Sequence, residues 1–172
     1  MPWNYIDWSQ AKENAESMYT TTNVQSVLIT DRMWETTCKW LENAGAVVTK
    51  SENGSTGWGN YSNAPVTGIT EYSTNSGATW TSKTDNNQKG TSTIWLLKTG
   101  HTEYTNKNNI YDLAGNLWEW TNSEYTSGSS NYVRRGGSYG DHGTDRPAVY
   151  RGNPSASAGN GYISFRVGLF IQ

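Results

Sequence analysis

Indole and phenol rings have to build most of the interior of this chain. Nine Trp and eleven Tyr stand among 172 residues that are otherwise short of aliphatic side chains, at a mean hydropathy of -0.77. A domain of this length buries roughly two thirds of the surface its unfolded chain exposes, so a core is within reach and aromatic rings must carry much of it. The high Gly, Ser, Thr and Asn content would also suit a disordered segment. Disordered chains, however, are poor in aromatics and rich in net charge, and here the net charge is only -2. The chain reads as one folded, loop-rich domain over residues 1–172.

That weak charge gives no footing for nucleic-acid binding. The two ends differ: residues 1–124 hold 8 basic and 13 acidic side chains, residues 125–172 hold 5 and 2, and all five of those cations are Arg. One cysteine, Cys38, rules out an internal disulfide and any multi-thiolate metal site, and its expected place is that of a small core apolar residue. No stretch approaches the roughly 20 apolar residues a bilayer span needs, so no direct membrane insertion is expected. Met1-Pro2-Trp3 opens without a basic segment and an apolar run, so if the protein is exported its signal or anchor is expected to lie outside these residues.

Two helices are expected. The first starts at Trp8-Ser9-Gln10-Ala11, with Ser9 as N-cap and Ala11, Ala15 and Met18 or Tyr19 at helical spacing, and ends near Tyr19. The second runs from about Asp31 to Asn43, with Thr30 as N-cap, a stripe of Met33, Trp34, Cys38 and Leu41, and Gly45 as the stop. From Val47 to Lys89 the chain turns over at Asn53-Gly54, Gly57-Trp58-Gly59-Asn60, Ser76-Gly77 and Asp85-Asn86, which reads as loops and short strands pinned by Trp58 and Trp80. Asn53 and Asn60 also match the glycosylation sequon, as chance readily produces.

Three later strings carry more information: Asn109-Ile110-Tyr111-Asp112-Leu113-Ala114-Gly115-Asn116-Leu117-Trp118-Glu119-Trp120-Thr121, then Arg135-Gly136-Gly137-Ser138-Tyr139, then Phe165-Arg166-Val167. In the first, Gly115 and Asn116 supply the positive backbone angles of a tight turn, after which Leu117, Trp118 and Trp120 resume as a strand. Arg166, in an otherwise apolar strand, is expected to stitch loop carbonyls or a carboxylate. In order and spacing these strings resemble the formylglycine-generating-enzyme family. Pro2 to Ala11 and Leu28-Ile29-Thr30-Asp31-Arg32-Met33-Trp34-Glu35 resemble its opening segment and second helix start. The resemblance implies an α+β, C-type-lectin-like fold of the formylglycine-generating-enzyme type: two helices, small antiparallel sheets and much irregular loop.

The catalytic members of that family use a pair of cysteines just beyond the Gly-Gly-Ser motif to hold a soft copper ion. The matching stretch here, Tyr139 to Arg146, has no sulfur. An iron-dependent branch uses histidine ligands, but His101 and His142 are the only two here. The resemblance therefore implies a chain without that catalysis and with no required cofactor, and an oxidase-like metal enzyme with a relocated site is the competing expectation. Asp141, His142 and Asp145 form one conceivable metal set, though they are also ordinary loop residues. Family members also bind calcium near the first string; carried over, Asp112 and Glu119 offer carboxylates and Gly115 and Leu117 offer carbonyls, an oxygen set that suits a hard cation. The other reading has Asp112 capping the turn and Glu119 pairing with an Arg.

The end of the chain carries a countable anomaly. Residues 125–171 contain no Lys, Glu, Gln, Met or Trp, whereas residues 1–124 contain 31 of them; about a dozen would be expected at the upstream rate. Those five are the amino acids that codons ending in C cannot encode, which is the pattern adenine-directed mutagenesis of AAC codons leaves. A Gly, Ser and Tyr-rich loop region is poor in them on ordinary grounds too. The segment resembles the variable region of diversity-generating retroelement proteins, which implies a non-catalytic surface for a protein or glycan receptor, on a phage tail or a bacterial cell surface. Its residue types are those of good paratopes. The expected variable positions are Tyr139, Gly140, Asp141, His142, Asp145, Arg146, Val149, Tyr150, Gly152, Asn153 and Tyr162, with Tyr139, Arg146 and Tyr150 as anchors. A purely structural module would instead pack the 139–162 loops inward.

Overall fold

In the computed structural model, residues 1–46, 48, 58–85 and 87–171 are described. The Asn53-Gly54 turn, the Asn53 sequon, Gly57 and Asn86 lie outside them. Helix α1 spans Trp8–Ser17 and helix α2 spans Asp31–Asn43. α2 is the helix expected, with the Thr30 hydroxyl accepting from the Met33 N–H and Trp34, Cys38 and Leu41 buried. α1 begins two residues earlier than Ser9 would set it. Asp7 is the N-cap: its carboxylate accepts from the Gln10 N–H at 2.9 Å, Gln10 Oε1 accepts from the Asp7 N–H at 3.1 Å, and Ser9 only donates its hydroxyl to Asp7. A carboxylate closing that reciprocal box outcompetes a hydroxyl two residues inside it. The helix stops at Ser17, so its buried stripe is Ala11 and Ala15, while Met18 and Tyr19 are exposed.

The strands are short: β1 (Thr20–Thr21), β2 (Val24–Leu28), β3 (Glu71–Tyr72), β4 (Thr81–Ser82), β5 (Asn106–Lys107), β6 (Ile110–Tyr111), β7 (Trp118–Glu124), β8 (Tyr132–Arg135), β9 (Arg151–Gly152), β10 (Ile163–Phe165) and β11 (Val167–Ile171). They form a three-stranded sheet β1-β2-β11, a four-stranded sheet β10-β7-β8-β9 and two two-stranded ribbons. This is the α+β architecture expected, with one departure: β10 runs parallel to β7, in the register Ile163↔Trp118 to Phe165↔Trp120. Parallel neighbours need a long connection, and β8, β9 and the loop up to residue 162 supply it.

Rings do build the interior. Trp34, Trp58, Trp120 and Tyr61 are fully buried, and three indoles tie the layers together by donating to distant carbonyls. Trp34 Nε1 reaches Ala148 O at 2.8 Å, Trp120 Nε1 reaches Ile6 O at 3.1 Å, and Trp8 Nε1 reaches Thr121 O at 3.1 Å. Trp58 is a core ring, whereas Trp80 is half-buried against Leu96, Leu117 and Tyr139. The 112–116 turn forms as its residues dictate, with positive φ at Asp112, Gly115 and Asn116. A Cβ on Gly115 would lie 2.4 Å from the Asn60 carbonyl oxygen, so glycine is needed for the close approach as well as the angle. Asn60 itself is fully buried and donates to Trp95 O and Asn116 Oδ1, which leaves no room for a glycan on that sequon.

Candidate recognition cleft

Strand alternation sets up the site. β7 turns Trp118 and Trp120 toward α1 and Ile163, and Glu119 toward the opposite face. β8 does the same with two consecutive arginines. Arg135 joins α2, donating to Asp31, to Glu35 and to the Val149 carbonyl, whereas Arg134 lies over the Trp118 ring, 4.4 Å from its centroid.

From Trp118 the contacts continue outward through the C-terminal loop. Tyr150 meets Trp118 edge-on at 5.8 Å, and the Arg146 guanidinium sits 4.3 Å from the Tyr150 ring. Arg146, Tyr150, Trp118 and Arg134 thus form one continuous run of cation–π and aromatic contacts, each worth about 0.5–1 kcal/mol at an exposed site. Beside it opens a cleft of about 310 Å³ walled by Arg134, Asp141, Asn160, Tyr162 and Ile94, with Gly140 at its edge.

The cleft walls are held from behind. Tyr162 is 39% exposed, and its inner face stacks on Tyr139 at 4.7 Å and 18°. The Tyr139 hydroxyl hydrogen-bonds Ser76 Oγ at 2.9 Å, and burial pushes its pKa up to about 12. Asp141 is fixed by Ser138, whose N–H and hydroxyl donate to Oδ2 at 2.9 and 2.6 Å, and by Ser62, which donates twice to its carbonyl. Gly137 makes this turn possible: its φ is +74°, and a Cβ there would lie 2.3 Å from the Arg146 carbonyl oxygen. Burial lowers the pKa of Arg134, the nearby Asp141 charge opposes that, and Arg146 adds to it.

The structure therefore gathers Gly140, Asp141, Arg146, Tyr150 and Tyr162 at one face, with Gly152 directly beneath Arg134. Tyr139, expected as an anchor, is instead a core ring, 2% exposed, because its hydroxyl finds Ser76 inside and its face is covered by Tyr162. Val149 also turns away: it packs on the α2 core and lines a separate groove with Trp34 and Cys38. His142, Asp145 and Asn153 are exposed outside the cleft, and the His142 carbonyl closes a turn by accepting from the Asp145 and Arg146 N–H groups. Among the described residues no three His, Cys, Asp or Glu side chains converge. The sequence reading missed Arg134, Trp118, Asn160 and Ile94. Arg134 was within reach, since two adjacent arginines in a strand must face opposite sides.

The calcium set resolves differently. Glu119 and Asp112 are both buried, and burial raises both carboxyl pKa values. Both Glu119 oxygens accept from Arg166 at 2.8 Å, and Arg166 also donates to the Tyr111 carbonyl at 2.9 Å. Asp112 Oδ2 accepts from the Gly100 N–H at 2.7 Å, while Oδ1 is buried without a hydrogen-bond partner among the described residues. Gly115 and Leu117 stay in the buried turn, where the Gly115 N–H donates to Gly136 O. A guanidinium already supplies the positive charge here, and one leftover carboxylate oxygen beside it does not fit a hard divalent cation. This is the stitching expected of Arg166. Cys38 is buried in α2 and its thiol pKa is pushed up to about 12, first by burial, so it is no thiolate at neutral pH.

Fold and motifs together define an α+β domain of the formylglycine-generating-enzyme type. The chain matches the sulfatase-modifying factor enzyme 1-like domain over residues 1–169, and it belongs to that family. Among solved structures it is similar to CarF, with a TM-score of 0.53 and 20% identity, covering 86% of this chain and 48% of CarF. It is also similar to PvdO from Pseudomonas aeruginosa, with a TM-score of 0.61 and 13% identity, covering 100% of this chain and 62% of PvdO. Treponema denticola variable protein 1 matches at a TM-score of 0.43 and 18% identity, covering 89% of this chain and 50% of that one. The chain thus spans less than two thirds of each of these structures. No protein of curated function matches it. No helix among the described residues is long and apolar enough to cross a membrane.

Proposed function

We propose that this domain is a non-catalytic recognition module, whose 125–171 segment forms a diversified face for a receptor on a target cell. A phage tail tip or a bacterial surface adhesin is the setting such a face suits. The observation that carries the reading is the coincidence of two independent features. The segment that lacks Lys, Glu, Gln, Met and Trp is also the one that supplies most of the exposed Arg and Tyr contacts around the cleft. The framework beneath it, by contrast, is made of hydrogen-bonded indoles, tightly packed glycines and paired arginines. The absence of sulfur from 139–146 and the inert Cys38 thiol argue the same way.

The test is at the locus and in the protein. A neighbouring reverse transcriptase and a near-copy of the 125–171 coding segment differing at adenines are the expected finding; absence of both overturns diversification. A display library randomised at Gly140, Asp141, Arg146, Tyr150 and Tyr162 should remain largely folded. Stoichiometric copper or iron in the purified protein would favour the oxidase-like alternative.

A further inference from the structure

Arg134 and Arg146 are the two cations of the C-terminal segment that meet no carboxylate among the described residues, and of the two it is Arg134 that lines the cleft. Arg135, Arg151 and Arg166 each donate to a carboxylate, whereas the Arg134 guanidinium meets no carboxylate among the described residues, and its Nε is buried without a partner. Folding has taken that nitrogen out of water without a hydrogen-bond acceptor, a cost of about 1–3 kcal/mol for a polar atom left unsatisfied, which the Trp118 ring and the nearby Asp141 charge offset in part. The guanidinium rests 4.4 Å from the Trp118 ring centroid, and Arg134 forms part of the cleft wall.

The remaining walls are of a particular kind. Tyr162 offers the outer face of a ring whose inner face is locked on Tyr139. Gly140 keeps that ring clear, since a Cβ there would come within 2.8 Å of Tyr162 Cε1. Among the described residues Asp141 Oδ1 and Asn160 Nδ2 meet no hydrogen-bond partner: Asp141 uses Oδ2 for Ser138, and Asn160 uses Oδ1 to accept from the Tyr162 N–H. A free donor fork, a fixed aromatic face, and one acceptor and one donor of side-chain amide or carboxylate type therefore ring a space at the small end of ligand pockets.

Resting on the recognition-face reading above, we propose that this cleft takes an acidic saccharide, a pyranose bearing a carboxylate. The carboxylate pairs with Arg134, the apolar face of the ring lies on Tyr162, and the hydroxyls bond Asp141 and Asn160. A protein epitope fits less well, because a stable protein interface needs about 800 Å² on each side and the free groups here converge into one small concavity. Asp141 Oδ1 needs a donor, which a sugar hydroxyl supplies.

The test is a titration of the isotope-labelled domain with glucuronic acid and N-acetylneuraminic acid, against glucose and an acidic peptide, read on the indole and Arg side-chain signals. Binding of an acidic sugar, at least about tenfold tighter than glucose, is expected, with the preference lost in Arg134→Gln and the affinity lost in Tyr162→Ala while melting temperatures hold. Equal binding of glucose, binding of the peptide alone, or an acid preference unchanged in Arg134→Gln overturns the proposal. If no sugar binds yet the library randomised at the cleft stays folded and the locus carries the reverse transcriptase and near-copy, this inference fails and the recognition-face reading stands. If those fail too, both fall.

Discussion

Arg134 and Arg135 are neighbours in one strand and live in opposite regimes. Arg135 is 3% exposed and its guanidinium is used in every direction: Asp31, Glu35 and the Val149 carbonyl all accept from it, and Arg151 shares Asp31 with it from the next strand. Arg134 has a ring beneath it and a cleft beside it. The difference separates the two halves of the domain's design. On one face charge holds α2 to the four-stranded sheet; on the other the guanidinium lines a cleft and meets no carboxylate among the described residues.

Substitutions can break that contrast, and the largest effect is expected at the structural cation. Arg135→Ala leaves the Val149 carbonyl without its donor and Asp31 with Arg151 alone, while Glu35 is half-exposed, and should cost about 3–4 kcal/mol, read as a large fall in the denaturation midpoint or failure to fold. Glu119→Ala strands Arg166 in the same way and should cost about 3 kcal/mol by the same measurement. Arg134→Ala should cost no more than about 1 kcal/mol, the worth of its stacking on Trp118, while removing acid-dependent binding. A result in which Arg134→Ala destabilises as much as Arg135→Ala would erase the distinction.

A third cation sharpens it through pH. Lys89 is fully buried, donating to Asn60 Oδ1 and the Tyr61 carbonyl, and burial lowers its pKa to about 7. Its folded pKa lies below its unfolded one, so between about pH 7 and 9 the unfolded chain binds the extra proton. Stability should rise with pH across that window by up to about 1.4 kcal/mol per unit. Above about pH 9 the raised Cys38 pKa works against this, because the thiol then ionises only in the unfolded chain. Urea denaturation of the protein and of Lys89→Met at pH 7 and pH 9 checks it, the slope vanishing in the variant. The smallest expected effect is that of calcium: because Arg166 already neutralises Glu119, millimolar calcium or a chelator should move the melting temperature by less than about 1 °C.

Much of the fold was legible beforehand because it is local. Thr30 and the Trp34, Cys38, Leu41 stripe specify α2 by cap and period, and Gly115-Asn116 specify a turn by the angles they alone adopt cheaply. The Ser9 cap failed because two oxygens compete for the same N–H groups and the reciprocal partner, Gln10, favours Asp7. The site was half legible. Residue types announced a contact surface, but a Tyr announces nothing about which way it faces, and Tyr139 and Tyr162, stacked on each other, have opposite fates.

What the amino-acid order determined by itself is the set of local devices: caps, positive-φ turns, alternating strands and an end segment stripped of five residue types. What only the tertiary structure decided is which charges are paired. That choice depends on partners about a hundred residues apart, Arg135 with Asp31 and Glu35, and a buried charge is settled by whatever carboxylate the packing brings within reach. Arg134 was left without one by the geometry of the sheet, a fact that composition, period and spacing do not contain.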